Sequence, residues 1–217
     1  MNMQTLTKLV LEHGLENRIL SERQLARLVD GSDQRRYNLV NRALKAGELH
    51  RIRRGLYVLS RPDGTLNSHP YAVAQNLMPG SYVSLETALA YHGWIPESVQ
   101  TIASIVPGRK SKHFDDERMG RFTFHPLAVR PGYFLELVER GEGEGQSFLV
   151  ASPQRALLDL VCQRKLEWQG IDWFQNGLRI EREYLDAITS DDIQILKLVY
   201  KQQRMQGFLA EMEKVLA

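Results

Sequence analysis

The most informative pattern of hydrophobic and polar positions lies between Ser21 and Leu59. Ser21 is typical of a helix N-cap, and the apolar residues that follow it recur at the three- and four-residue spacing of an amphipathic helix. These apolar residues are Leu25, Leu28 and Val29. Asp30-Gly31 ends this helix, and Ser32 can cap a second one. The pattern therefore predicts two short helices separated by a tight turn.

The second helix separates its apolar residues from its polar ones. At about 100° per residue, one side collects an apolar set that we expect to be buried. This set consists of Tyr37, Val40, Ala43 and Leu44. The opposite side carries only Arg, Lys, Asn and Gln, namely Gln34, Arg35, Asn38, Asn41, Arg42 and Lys45. Such side chains contact base edges in pairs of hydrogen bonds or reach phosphates, so this helix has the composition of a DNA-recognition helix.

A short hairpin follows the second helix. Ala46-Gly47 closes the helix, and the next residues, up to Leu59, place apolar side chains on either side of the turn Arg53-Arg54-Gly55. Glycine permits the positive φ that such a turn requires. The arginines Arg51, Arg53 and Arg54 would lie at or near its tip. This is where the wing of a winged helix follows the sugar–phosphate backbone.

Helix, turn and hairpin agree with one another, and Thr5 to Gly14 reads as a further amphipathic helix that completes a three-helix core. We therefore predict a winged helix-turn-helix. The alternative is a helix with an ordinary solvated face next to a hairpin that happens to carry arginines. The agreement of three elements favours DNA binding over this alternative.

The charge distribution supports the same prediction. Residues 1–60 contain 11 Lys and Arg against six Asp and Glu, whereas residues 61–217 contain 17 against 20. The net charge of the whole chain is only +2, so the basic excess is concentrated on the predicted DNA-binding part. Neutralisation of phosphates requires such a concentration.

The remainder of the chain predicts a second domain and an α+β fold class. Arg61 to Ser68 is rich in turn formers, so we predict domains at 1–60 and 69–217 joined by a linker at 61–68. Strands are predicted at 101–106, 121–125, 133–139 and 147–150, with a flexible acidic loop at 139–145. Helices are predicted at 70–78, at 85–92 after Ser84, from Ser152-Pro153 onward, at 184–188 and after Ser190. The expected architecture is a mixed α/β domain with a small sheet flanked by helices.

At this point the order of motifs resembles a known family. The motifs are RIRRGLYVLS at 51–60, YVSLETALAYHGWIPE at 82–97, RFTFHPL at 121–127 and ASPQRALLDLV at 151–161. Together they resemble the AbiEi family of abortive-infection antitoxins, which are the antitoxin halves of type IV toxin-antitoxin operons. The resemblance covers nearly the whole chain. It implies a winged-helix repressor that binds operator DNA, with inverted repeats, in its own promoter.

The resemblance also assigns parts of the chain to roles. The recognition helix of the family corresponds to Ser32–Lys45, and its wing corresponds to His50–Tyr57. The antitoxin domain corresponds to roughly residues 69–217, and its implied role is to counteract a nucleotidyltransferase toxin. Family members are described as neutralising the toxin without forming a stable complex. The toxin is therefore an implied functional partner, and direct contact stays open.

A second basic cluster, Arg109 to His113, lies outside the winged helix. Its cations are Arg109, Lys110 and Lys112. They could touch DNA beside the wing or bind RNA. The alternative is a solvated loop whose charge is balanced by Asp115-Asp116-Glu117, and this alternative is the favoured one.

The sequence does not favour an enzyme. The six histidines show no HxxxH spacing and there is no CxxC, so no metal site is predicted. Asp159, on an apolar helix, is the most tempting single carboxylate, but such a residue more often caps a neighbouring helix or faces outward. The alternating Gly-Glu run would repel phosphate. We therefore predict no catalytic residue, no metal and no cofactor.

Two further expectations concern the single cysteine and the location of the protein. Cys162 lies in an apolar helical pattern, which indicates a buried reduced thiol rather than a nucleophile. No apolar run approaches the length of about 20 residues that spans a bilayer, and the N-terminus lacks the pattern of a signal peptide. We expect a cytoplasmic protein without a membrane segment.

Two alternative functions remain open from the sequence. One is a winged-helix protein whose C-terminal domain binds a partner enzyme directly. The other is a one-component transcriptional regulator whose second domain responds to a small ligand. The sequence itself reveals no convergent polar pocket for such a ligand.

Overall fold

The computed structural model describes residues 5–96 and 100–216. Glu97, the last residue of the YVSLETALAYHGWIPE motif, lies outside the described residues, as do Ala217 and the first four residues that the predicted domain limits include. The chain divides into two compact units. The first comprises Met1–Asn76 and Glu142–Ser147, and the second comprises Leu77–Gly141 and Phe148–Ala217. The expected α+β fold class is confirmed.

The first unit has the order of elements of a winged helix. Its elements are α1 (Leu6–Glu12), β1 (Leu20–Ser21), α2 (Glu22–Leu28), α3 (Asp33–Lys45), β2 (Leu49–Arg53), β3 (Leu56–Leu59) and most of α4 (Pro70–Leu77). The three strands form an antiparallel sheet in the order β1-β3-β2. The sequence did not predict β1, because it has only two residues and its second residue, Ser21, is also the N-cap of α2.

Local capping explains where the helices of this unit begin and end. Ser21 forms a capping box with Gln24, in which the Gln24 amide donates to Ser21 Oγ at 3.3 Å and the Ser21 amide donates to Gln24 Oε1 at 2.8 Å. Ser32 Oγ accepts the Arg35 amide at 3.3 Å. Gly47 follows the C-cap of α3 at a φ of +72°. These three predicted caps are confirmed.

The predicted linker, residues 61–68, lies within the first unit and is hydrogen-bonded to it. Asp63 Oδ1 accepts from the Thr65 amide at 2.8 Å and from the Thr65 hydroxyl at 2.7 Å. Gln146 then ties this segment to the beginning of the unit. Its Oε1 accepts from Ser68 Oγ at 3.0 Å, and its Nε2 donates to the Asn17 carbonyl at 2.6 Å.

The second unit is a mixed sheet with flanking helices, as predicted. The strands of this sheet are β4 (Tyr82–Val83), β5 (Thr101–Val106), β6 (Lys112–Asp116), β7 (Gly120–Pro126), β8 (Val138–Gly143) and β9 (Gln146–Ala151), in the order β6-β7-β5-β4-β9-β8. The end of β8 and the start of β9, which fall within Glu142–Ser147, belong to the first unit. The helices of the second unit are α5 (Leu85–Tyr91), α6 (Pro153–Arg164), α7 (Asp172–Leu178), α8 (Arg182–Asp186), α9 (Ser190–Val199) and α10 (Gln203–Leu216). The pairs β5/β7 and β4/β9 are parallel, whereas β4/β5 and β6/β7 are antiparallel. No helix among residues 5–96 and 100–216 is long and apolar enough to cross a membrane.

Two predictions for residues 133–145 are wrong. The strand predicted at 133–139 begins only at Val138, and the loop predicted at 139–145 is mostly the strand β8. The glycines of this segment suggested a loop, but in the structure they belong to a strand and allow neighbouring side chains to lie close to its backbone. A Cβ on Gly141 would lie 2.4 Å from the Phe148 ring, and one on Gly143 would lie 2.5 Å from the His69 ring.

The core of the second unit contains a buried ion pair. Arg155 and Asp159, one turn apart on α6, have no solvent exposure, and Arg155 Nε lies 2.9 Å from Asp159 Oδ1. The carboxylate also accepts hydrogen bonds of 2.8 Å from the hydroxyls of Tyr82, Ser84 and Tyr200. The sequence suggested that Asp159 caps a neighbouring helix or faces outward, but in the structure it does neither. It holds α6, β4 and the end of α9 together.

This network perturbs the groups around it. Burial and the Asp159 carboxylate both raise the pKa values of Tyr82 and Tyr200 well above their ordinary range, so both phenols stay protonated and donate. Cys162, on the same helix, is buried as predicted, and burial with the nearby Asp159 raises the pKa of its thiol to about 11. A thiol with such a pKa is a poor nucleophile near neutral pH.

Candidate nucleic-acid interface

The helix α3 presents a polar face built from the residues that the sequence selected. Gln34, Arg35, Asn38, Arg42 and Lys45 are exposed, and Asn41 is half-buried. Gln34 Nε2 donates to Asn38 Oδ1 at 3.0 Å, so these two amides lie side by side one turn apart. The opposite side of the helix packs into the core of the unit through Leu39, Val40 and Ala43.

The predicted buried side of α3 needs one correction. Val40 and Ala43 are buried and Leu44 is partly buried, but Tyr37 is 63% exposed. Leu39, with 5% exposure, takes the core position instead. The core-facing arc of the helix is therefore turned towards Leu39. The exposed surface of α3 thus includes the aromatic side chain of Tyr37.

Arg36 neutralises the acids near the start of α3. Its Nε lies 3.2 Å from Glu22 Oε1, and its Nη1 lies 2.9 Å from Asp33 Oδ1. The Arg36 side chain is only 17% exposed, so it joins α2 to α3 rather than adding to the polar face. Its two carboxylate partners would otherwise repel a phosphate backbone close to this helix.

The wing is a short hairpin with a basic tip. Arg51, Arg53 and Arg54 are all exposed. Arg51 pairs with Tyr57 and Arg53 pairs with Leu56, with an irregularity between the two pairs that inserts one extra residue. Gly55, at a φ of +77°, makes the turn that the sequence predicted.

The tip of the wing is attached to the start of α2. The Glu22 amide donates to the Gly55 carbonyl at 3.0 Å, next to the strand pair in which Ser21 lies opposite Leu56. Arg36, Tyr37 and Tyr57 line one small cavity of about 220 Å³. The middle of α3 and the base of the wing therefore adjoin within the same folded unit. The structure thus brings both halves of the predicted interface together.

The second basic cluster lies in the other unit, on the edge strand β6 of the six-stranded sheet. Arg109 and Lys110 are exposed in the turn before β6, and Lys112 is its first residue. Two of the neighbouring acids, Asp115 and Asp116, have other partners. Asp115 Oδ1 lies 2.6 Å from Arg121 Nε, and this hydrogen bond lowers the pKa of Asp115. The carboxylate of Asp116 accepts the amides of Arg118 and Met119.

Comparison with known proteins bears on the fold alone. The chain is similar to the crystal structure of the RV2827C protein from Mycobacterium tuberculosis, with a TM-score of 0.54 and 14% sequence identity. The similarity covers 99% of this chain and 82% of that chain. No family model matches the chain, and no curated protein matches it. The architecture of nearly the whole chain is therefore one that a solved protein also adopts.

Proposed function

We propose that this protein is a sequence-specific DNA-binding repressor of its own operon. The observation that carries the proposal is the juxtaposition, within one winged-helix unit, of the polar face of α3 with the exposed arginines of the wing. In this arrangement the helix enters a major groove and the wing contacts the flanking backbone. Two further observations support the same assignment. Arg36 pairs with the acids Glu22 and Asp33 beside α3, and residues 1–60 carry an excess of basic residues.

The proposal predicts different effects for the helix and the wing. Arg35→Ala or Arg42→Ala should weaken binding to the promoter upstream of the gene by about 1–3 kcal/mol each and relax sequence preference, because a lost base contact affects specificity. The double substitution Arg53→Ala with Arg54→Ala should instead reduce the slope of log K against log salt by about 2, because phosphate contacts release counterions.

Titration of labelled promoter DNA at several salt concentrations measures both effects. Lys45→Ala and Lys8→Ala form a matched pair, since both lysines are exposed in the same unit but only Lys45 belongs to the polar face of α3. Lys45→Ala should weaken binding and Lys8→Ala should leave it almost unchanged. Promoter affinity that is unaltered in the Arg35, Arg42, Arg53 and Arg54 variants would refute the assignment of the interface.

The resemblance of the motif order to the AbiEi family extends the proposal to an antitoxin role. In this extended proposal, residues 69–217 counteract a nucleotidyltransferase toxin that is encoded next to the gene. The antitoxin role is tested by growth of cells that express the toxin from an unrelated promoter together with the full chain carrying Arg35→Ala and Arg42→Ala. Growth should be rescued although operator binding is weakened. Failure to rescue growth, by this variant and by the unaltered chain alike, would remove the antitoxin role and leave the repressor intact.

The proposal assigns binding rather than catalysis to this chain. Asp159 is buried in the core, where Arg155 and three hydroxyls donate hydrogen bonds to its carboxylate. Co-purification of the toxin with the full chain would instead favour the alternative in which the second unit binds a partner enzyme directly.

A further inference from the structure

The second unit contains a cavity of about 600 Å³ that the repressor proposal does not use. It lies between the strands β5 and β7 on one side and the helices α5, α6 and α7 on the other. Binding sites for small organic molecules have volumes of roughly 300–1,000 Å³ and combine apolar walls with a few convergent polar groups. The cavity fits this description in size and in lining.

The alternation of side chains along two neighbouring strands explains why space remains here. On β7, Phe122 and Phe124 are completely buried, whereas the intervening Thr123 and the following His125 line the cavity. In the parallel register, Ala103 of β5 lies beside Thr123. The floor of the cavity therefore contains the small side chains of Ala103 and Thr123, followed on β7 by His125. The phenylalanines of β7 face away from it.

The polar groups of the cavity can hydrogen-bond without charge. Gln163, near the end of α6, places its Nε2 at 3.5 Å from His125 Nδ1. Burial lowers the pKa of His125, and this outweighs the opposing influence of the Glu86 carboxylate, so the imidazole is neutral near pH 7. A neutral imidazole and a carboxamide together offer both donors and acceptors.

The two charged residues of the lining compensate each other. Arg164 of α6 forms an ion pair with Glu86 of α5, so the cavity carries no excess of either sign. A phosphate or a metal ion would have to break this pair to gain a counter-ion. The rest of the lining includes the aliphatic side chains Leu85, Ile95 and Leu178. The cavity is therefore suited to a neutral molecule that is both polar and apolar.

We propose that this cavity binds a neutral nitrogen heterocycle of the nucleobase type. Its hydrogen-bonding edge faces Gln163 and His125, and its ring packs against the aliphatic walls. A glutamine carboxamide forms a pair of hydrogen bonds with an adenine edge, which makes adenosine the first probe. The site lies wholly in the second unit, and it does not depend on the proposed DNA interface.

Calorimetric titration of the full chain with adenosine, guanosine, cytidine and uridine tests the proposal. At least one nucleoside should bind with a stoichiometry of one per chain. Gln163→Leu should weaken this binding about tenfold, which corresponds to the loss of one net hydrogen bond. Gln194→Leu is the matched control, because Gln194 belongs to the same unit but pairs with Glu213 on an exposed surface.

A second variant guards against a simple folding defect. Thr123→Leu keeps the strand position and adds volume to the floor of the cavity, so it should also reduce binding while the thermal midpoint without nucleoside stays close to that of the unaltered chain. Three results would overturn the proposal. They are the absence of binding by all four nucleosides at about 1 mM, equal affinity in the Gln163→Leu variant, and binding of AMP without binding of adenosine. The last result would identify an anion site instead.

Discussion

Replacement of Asp159 by alanine is expected to destabilise the second unit strongly. The carboxylate is fully buried, and it accepts hydrogen bonds from Arg155 Nε at 2.9 Å and from three hydroxyls at 2.8 Å each. Its removal leaves the buried guanidinium of Arg155 without a counter-ion and the three hydroxyls without their acceptor. Breaking a buried pair in this way costs about 3–5 kcal/mol, and we expect the free energy of unfolding to fall by that amount.

The chain provides a matched control for this substitution. Arg182 and Asp186 on α8 have the same i,i+4 spacing and the same contact between Nε and Oδ1, at 2.7 Å. Their side chains, however, are 44% and 53% exposed. Exposed pairs of this kind contribute about 0.3–0.5 kcal/mol, so Asp186→Ala should cost no more than that. The difference between the two variants isolates the effect of burial.

Urea unfolding followed by tryptophan fluorescence is a suitable assay. All three tryptophans, Trp94, Trp168 and Trp173, belong to the second unit, so their signal reports the unit that contains the network. The double substitution Arg155→Met with Asp159→Leu removes both charges and should recover part of the loss. A loss below about 1 kcal/mol in Asp159→Ala, or one equal to that in Asp186→Ala, would refute the reasoning.

Three further predictions concern other parts of the molecule. Leu39→Ala should lower the free energy of unfolding by about 2–5 kcal/mol, whereas Tyr37→Ala should lower it by less than about 0.5 kcal/mol. Urea unfolding followed by circular dichroism measures both values, and the reverse order would mean that Tyr37 lies in the core. Gly141→Ala should lower the thermal midpoint because its Cβ would overlap the Phe148 ring, whereas Gly207→Ala, with nothing within 4 Å, should raise it by favouring the helix α10. Burial lowers the pKa of His125 below its ordinary value of 6.5, so the unfolded chain takes up a proton first and stability falls as the pH drops below about 6.5. His125→Asn should therefore show a smaller loss of stability between about pH 7.5 and 5.5 in urea titrations, and an unchanged loss would contradict the direction of the shift.

The features that the sequence predicted correctly are those with a local cause. Ser21 and Ser32 begin helices because their hydroxyls accept amides three residues ahead, and Gly47 ends one because it takes a positive φ. The strand at 101–106 was predicted with its observed limits. The basic wing followed from the turn at Gly55. Each of these signals lies within a few residues of its effect.

The features that the sequence did not reveal depend on distant partners. An angular plot of α3 cannot tell which arc faces the core, because Tyr37 and Leu39 are both apolar enough to fill it. The role of Arg155 becomes visible only in the fold, where its side chain meets Asp159 and Tyr82. Its i,i+4 spacing from Asp159, inside an otherwise apolar helix, was the signal that could have identified the pair.

The same distinction explains why no polar pocket was foreseen. Thr123 and His125 alternate with phenylalanines, as on any strand with one solvated face. The cavity arises only because Gln163 and Glu86, on helices far apart in the sequence, cover that face. No pattern within a short window records such a meeting.

The hydrogen bonds of Gln146 have a consequence for the synthesis of the protein. This residue belongs to the winged-helix unit but is encoded far behind it, since the unit runs to Asn76 and resumes only at Glu142–Ser147. A ribosome adds about 5–20 residues per second, so roughly 4 to 14 seconds pass between the synthesis of Asn76 and that of Gln146. Until then Ser68 and Asn17 lack the partner that joins them. The winged helix is thus completed only after much of the second unit has been translated, and a fragment that ends at residue 76 would be an unfinished version of it.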